Sequence, residues 1–230
     1  MRVVALHFLA LAALVAGCAR QPVQLGITLD DSALGPSFGR VGVIMTPLPK
    51  VEGYFPGALC LLCVAAAHAA HASLTNYLQT LPQEDLAKLK DEVASRIRNR
   101  GVEALIIGED LKLDELADMA NWTPNVAPKD FTPLKARYKV DKLMVIDVSA
   151  LGVHRAYQGY VATGIPQIVV EGKIYLVNLS TNRYELYRTV WVSRAVEGQW
   201  DEGPKYPGIT KTYFHTLQVG RDDFLQPFPR

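Results

Sequence analysis

A chain of 230 residues with 49% hydrophobic and 20% charged side chains can bury one substantial core or two small ones, and it is too apolar for a disordered protein. Its 24 Lys and Arg against 23 Asp and Glu become an even balance once a leader carrying Arg2 is removed. That balance excludes the electrostatic footprint of a nucleic-acid or anionic-membrane binder, so no nucleic-acid partner is expected.

Met1-Arg2 is a short basic start, the run from Val3 to Val15 is apolar, and Val15-Ala16-Gly17-Cys18 closes it with small residues before a cysteine. The run has signal-peptide length and is shorter than the ~20 residues of a membrane-spanning helix. It resembles the lipobox of bacterial lipoproteins. The resemblance implies a signal peptide over residues 1–17, cleavage before Cys18, and a membrane partner reached through lipid on the Cys18 sulfur and amino group. Ala19, where inner-membrane lipoproteins carry a retaining aspartate, implies an outer-membrane anchor facing the periplasm. Residues 18–38, with Pro22, Gly26, Asp30-Asp31 and Gly35-Pro36, read as the lipidated cysteine and a flexible tether. Residues 39–230 are expected to form a single periplasmic domain.

Within it, Val41-Gly42-Val43-Ile44-Met45 predicts a first strand, ended by Pro47 and Pro49. Tyr54 to Ala72, YFPGALCLLCVAAAHAAHA, predicts a helix over about 58–78. Its fully apolar part is too short to span a bilayer, so it is expected to be buried in protein. Pro82-Gln83-Glu84-Asp85 opens a second helix with the stripe Leu86, Leu89, Val93 and Ile97, capped at Gly101. A buried strand over 102–107, a short helix over 113–120, an irregular segment over 122–129 and a helix begun at Thr132-Pro133 should follow. Lys142 to Leu151 reads as a strand with Asp147 embedded. Gln167 to Leu179 and Arg183 to Val196 form a long hairpin turned at Ser180-Thr181-Asn182, with Tyr184, Leu186, Val190 and Val192 on one face. Residues 209–219 predict a closing helix.

This order predicts an α/β fold: a mixed sheet with helices packed on it and a long C-terminal β-hairpin. YFPGALCLLC, LPQEDLAKLKDEVASRIRNRG and KVDKLMVIDVSALGV resemble an uncharacterised group of Gram-negative outer-membrane lipoproteins. More distantly, the element order over Arg40 to Val219 is similar to periplasmic domains of the penicillin-binding-protein activator, the curli-secretion lipoprotein and the amino-terminal part of the Tol-system propeller protein. A shared fold does not carry function across.

Cys60 and Cys63 form a C-x-x-C pair at a helix start in an oxidising compartment. A structural disulfide, two inert thiols and a redox pair with a dipole-stabilised thiolate are all readings of this spacing. The neighbouring leucines favour burial of the sulfurs. Cys60, Cys63, His68 and His71 share one helical arc, but the first and last lie about 16 Å apart along the axis, too far for one metal ion. No metal and no cofactor are expected. Hydrolase and phosphate-loop motifs are absent, and His154 and His215 have no nucleophile partner in the pattern. Asp147 reads as a hydrogen-bonded aspartate at a strand end or sheet edge.

The expected function is a non-enzymatic binding or assembly module in the cell envelope, with another envelope protein or further copies of itself as partner. The alternative is a periplasmic thiol-redox enzyme using Cys60 and Cys63. The candidate interaction surface is aromatic: Tyr184, Tyr187, Trp191, Trp200, Tyr206 and Tyr213.

Overall fold

The computed structural model describes residues 23–30, 35–120 and 122–228. The leader and Cys18 lie outside them. Among the described residues there are eight strands: β1 (Val41–Met45), β2 (Glu52–Tyr54), β3 (Ala104–Asp110), β4 (Lys142–His154), β5 (Tyr157–Gln158), β6 (Val161–Ala162), β7 (Gln167–Asn178) and β8 (Arg183–Ala195). The helices are α1 (Leu61–Ala70), α2 (Ala72–Leu78), α3 (Glu84–Ala87), α4 (Leu89–Arg98), α5 (Leu134–Tyr138) and α6 (Pro207–Leu225).

Six strands make one mixed sheet in the order β3-β1-β4-β7-β8, with β2 pairing beside β4. β1 runs parallel to β3 and to β4, whereas β4, β7 and β8 are successively antiparallel. The α/β architecture and the long β7-β8 hairpin are therefore as the sequence predicts. β4 is the spine: its first half pairs with β1 and its last three residues, Gly152 to His154, pair with β2. Gly152 is required there, because a Cβ would sit 1.8 Å from the Glu52 carbonyl oxygen.

Helices α2, α3, α4 and α6 cover one face of the sheet. Val43, Met144, Ile146, Val170, Ile174 and Leu176 meet Leu78, Leu86, Leu89, Val93, Tyr213 and Phe224 in one buried cluster. The predicted stripe of Leu86, Leu89, Val93 and Ile97 is fully used, though Lys88 divides the expected single helix into α3 and α4. Arg221 on α6 grips Glu92 on α4 with two bonds of 2.9 and 2.7 Å. Helix α6 is longer than expected because Phe224 and Leu225 continue the apolar spacing begun at Ile209.

The opposite face carries a second cluster of Ile44, Leu143, Val145, Tyr175, Phe131 and Leu134. Asn182 fixes this layer from the hairpin turn: its side chain donates to Ala127 and Lys129 carbonyls and accepts from the Phe131 N–H. The helix expected over 113–120 is only a 3-10 turn at Leu113–Glu115. The rest of that segment is held from outside, through a bridge between Asp118 and Lys129.

Three further expectations change. Asp147 lies in the central strand rather than at an edge, accepting from Thr46 Oγ1 at 3.0 Å with Lys173 Nζ at 3.3 Å. Tyr184 does not share a face with Leu186. The pairing skips Glu185, which moves Tyr184 to the side of Tyr187. Part of the expected tether is docked: Ile27 exchanges both backbone bonds with Tyr187, at 2.8 and 3.0 Å, and Leu29 and Phe38 are buried.

A disulfide-stapled apolar end as candidate functional site

The far end of β4, beyond His154, carries the α1 segment and the small β5-β6 hairpin. Pro56-Gly57 makes the turn into it, and the hairpin closes over that turn through Tyr157 N–H to Pro56 O at 2.8 Å and Gly159 N–H to Gly57 O at 3.0 Å. Gly57 sits at φ +87°, and a Cβ there would lie 1.8 Å from the Tyr157 carbonyl oxygen. Only glycine permits both the turn and the close approach.

Cys60 then caps α1. Its backbone is extended, and its sulfur accepts from the Cys63 N–H at 2.9 Å, satisfying one of the helix's orphan donors. The Cys60 and Cys63 sulfurs are joined as a disulfide, with Cα atoms 5.0 Å apart. Cys60 is exposed, 3.6 Å from the Tyr160 hydroxyl, whereas Cys63 is buried. The expectation that leucines cover both sulfurs is thus wrong for Cys60.

Burial of the apolar stretch is also wrong. On α1 only Cys63 and Ala67 are buried, against Ala58, Phe55 and Tyr157. The leucines point away: Leu59 is 93% exposed, Leu61 86% and Leu62 70%. The β5-β6 hairpin adds Tyr160 at 61% and Val161 at 66%, and Ile165 just beyond it is 56% exposed. An ordinary surface helix buries one apolar stripe and shows a polar one; α1 has no polar stripe to show. No Asp, Glu, Lys or Arg occurs between Glu52 and Glu84, nor between Arg155 and Glu171.

Behind this end stands a polar and aromatic support. His71, at the break between α1 and α2, is buried. Its Nε2 lies 3.1 Å from Arg155 Nη1 and its Nδ1 3.1 Å from the Ala67 carbonyl oxygen. A guanidinium only donates, so Nε2 accepts and Nδ1 carries the proton given to Ala67. Trp200 stacks on the imidazole at an interplanar angle of 4°, and the Arg155 guanidinium lies 4.5 Å from the Trp200 ring centre. Phe55 fills the space between His68, His71 and Tyr157. Burial pushes the His71 pKa below its ordinary 6.5, the Ala67 bond opposes this, and Arg155 and His68 push it further down. Both His71 nitrogens are engaged, and among the described residues no three His, Cys, Asp or Glu side chains converge on one point.

The six aromatic candidates do not form one surface. Tyr184 and Tyr187 cluster with Tyr175, half-buried beside the docked Ile27. Burial pushes the Tyr175 and Tyr184 hydroxyls well up, with neighbouring charge adding to the effect. Trp191 is exposed on β8, Trp200 is half-buried on His71, and Tyr206 is half-buried against Tyr77. Tyr213 is fully buried and belongs to the core, so it is no surface residue. The exposed apolar residues Leu59, Leu61, Leu62, Tyr160, Val161 and Ile165 replace it as candidates. Their signal was the missing polar stripe in α1.

No protein-family model and no curated protein matches the chain. Similar solved structures include the PelC dodecamer from Paraburkholderia phytofirmans, at 11% identity over 89% of this chain and 94% of that one, TM-score 0.34. A putative neuraminyllactose-binding hemagglutinin homolog from Helicobacter pylori is similar at 9% identity over 92% and 93%, TM-score 0.36. A lipoprotein from Neisseria meningitidis is similar at 9% identity over 78% and 97%, TM-score 0.31. At these values the likeness assigns neither family nor activity to this chain.

Proposed function

We propose that this chain is an outer-membrane-anchored periplasmic lipoprotein whose domain is a non-enzymatic binding or assembly module, working through the disulfide-stapled apolar end. The observation that carries the reading is the exposure of Leu59, Leu61 and Leu62 on a pre-shaped, uncharged promontory. Contiguous apolar surface rimmed by an otherwise ordinary domain marks an interaction site. The staple and the Gly57 turn fix its shape beforehand, which lowers the ordering cost of binding.

The docking of Gln24 and Ile27 supports the same reading. Ile27 pairs at Tyr187, which is level with Tyr175 and Val145, and Gln24 bonds Asn125 beyond the start of β8. From that level to His154 the sheet runs about 30 Å at roughly 3.3 Å per residue. A lipid on Cys18 would hold one end of the domain and leave the apolar end directed away. Among the described residues no helix is long and apolar enough to cross a membrane.

Crosslinking of the full chain in intact envelopes, with neighbours identified by mass spectrometry, tests the reading. A reproducible protein neighbour that disappears in Leu61→Asp/Leu62→Asp is expected; a chain without one contradicts it. Cys18→Ser should leave an unprocessed, unacylated precursor, and a processed variant would remove the anchor from the account.

A second reading rests on Cys60, which is exposed at a helix N-terminus where a thiolate is stabilised. As a thiol-redox enzyme the reduced protein would alkylate rapidly and selectively at Cys60. Labelling no faster than an unperturbed thiol would end that reading.

A further inference from the structure

We propose that the apolar end receives the same end of a second copy of this chain, with α1 packed antiparallel on α1 across a two-fold axis. This rests on the reading of that end as a binding face and names its occupant. The first ground is the gradient of side-chain size along the exposed side of α1. Leu61, Leu62 and Val64 stand at its start, and Ala65, Ala66, His68, Ala69 and Ala70 toward its end, all exposed. A two-fold axis near the middle lays the leucines of one copy over the alanines of the other, so large meets small except at His68, the one bulky side chain of the second half. Parallel packing would set large against large.

Charge is the second ground. A surface that meets itself brings every charge against its own kind, and this one has no Asp, Glu, Lys or Arg to oppose. Antiparallel helices also place each positive N-terminus beside a negative C-terminus.

Area is the third. With ~200 Å² for a fully exposed side chain of this size, the exposures of Leu59, Leu61, Leu62, Tyr160, Val161 and Ile165 leave on the order of 900 Å². One partner contributes about 800 Å² to an interface of standard size.

A membrane is the wrong occupant on two counts. Helices that lie in a bilayer surface carry Lys or Arg on a polar face, and α1 has neither. The five residue steps from Cys18 to Val23 reach at most about 18 Å, starting from the end of the sheet opposite to α1.

The test is the full chain with a photo-reactive residue at Ala66, irradiated in intact envelopes. The expected product has twice the mass of the chain and joins residues 58–70 of two copies, and adding Leu61→Asp/Leu62→Asp lowers its yield at least tenfold. The denaturation midpoint of that variant should match the wild type's, which separates lost pairing from misfolding. A product joining Ala66 to a different protein overturns the pairing and keeps the binding reading. Products with lipid alone, or none, overturn both.

Discussion

Helices α1 and α6 are both rich in apolar residues, yet they end in opposite surroundings. Helix α6 spaces Ile209, Tyr213, Leu217 and Phe224 along one side, keeps Lys211, Gln218 and Asp222 on the other, and buries the first set on β7 and β8. Helix α1 carries a single polar side chain, the exposed His68, and buries only Cys63 and Ala67. Apolarity alone did not draw α1 into the core. The sheet face was already covered by α2, α3, α4 and α6, and α1 starts beyond the end of the strands. A stripe can be satisfied within one chain, whereas a helix without a polar side needs something on both.

The contrast should break most visibly in stability. Phe224→Ala, in the buried seam under α6, should cost about 3–5 kcal/mol. Leu61→Asp, on the exposed side of α1, should stay within about 0.5 kcal/mol in the isolated chain. Chemical denaturation of both variants checks the pair. Comparable losses would mean that α1 is core after all.

Next in size is the staple. Cys60 and Cys63 are three residues apart, so the closed loop is short and the chain-entropy gain is about 2 kcal/mol. Cys60→Ser/Cys63→Ser should lose roughly that amount and also weaken crosslinking through α1. Unchanged crosslinking would show that the apolar end keeps its shape unaided. Gly57→Ala should cost more than ~1 kcal/mol, through its positive φ and the Tyr157 carbonyl. Its effect on the denaturation midpoint should exceed that of Gly101→Ala, where a Cβ meets nothing.

The smallest expected effect is on pH dependence. His71 has its folded pKa below the ordinary 6.5, so the folded state keeps it neutral where the unfolded chain begins to take up a proton. Its contribution is present in full above about 6.5 and is lost as pH falls from there through the folded value. Denaturation midpoints at pH 7.5 and 5.5 should fall more steeply in the wild type than in His71→Asn. Equal slopes would remove His71 from the pH response.

Much of the fold was legible from periodicity and punctuation. The Leu86, Leu89, Val93 and Ile97 stripe, the β1 run before Pro47, and the hairpin turned at Asn182 are all where the pattern put them. The misses share a cause. The skipped pairing at Glu185 depends on its bonds to Lys142 and Asn178, and the docking of Ile27 depends on an open edge at β8. Neither is local. The apolar end was only half visible: Cys60 and Cys63 were singled out, but exposure of the leucines follows from which helices had already filled the sheet face. Aromatic residues gave a poor guide, because Tyr213 and Trp200 serve the core and the His71 support.

The central claim is that the apolar end is covered by protein where this chain works. Carbene footprinting of intact envelopes and of dilute, solubilised chain tests it most directly. Residues 58–66 should label several-fold less in envelopes than in the dilute chain, while exposed Phe214 on α6 labels equally in both. Equal labelling of residues 58–66 in the two states would contradict the account.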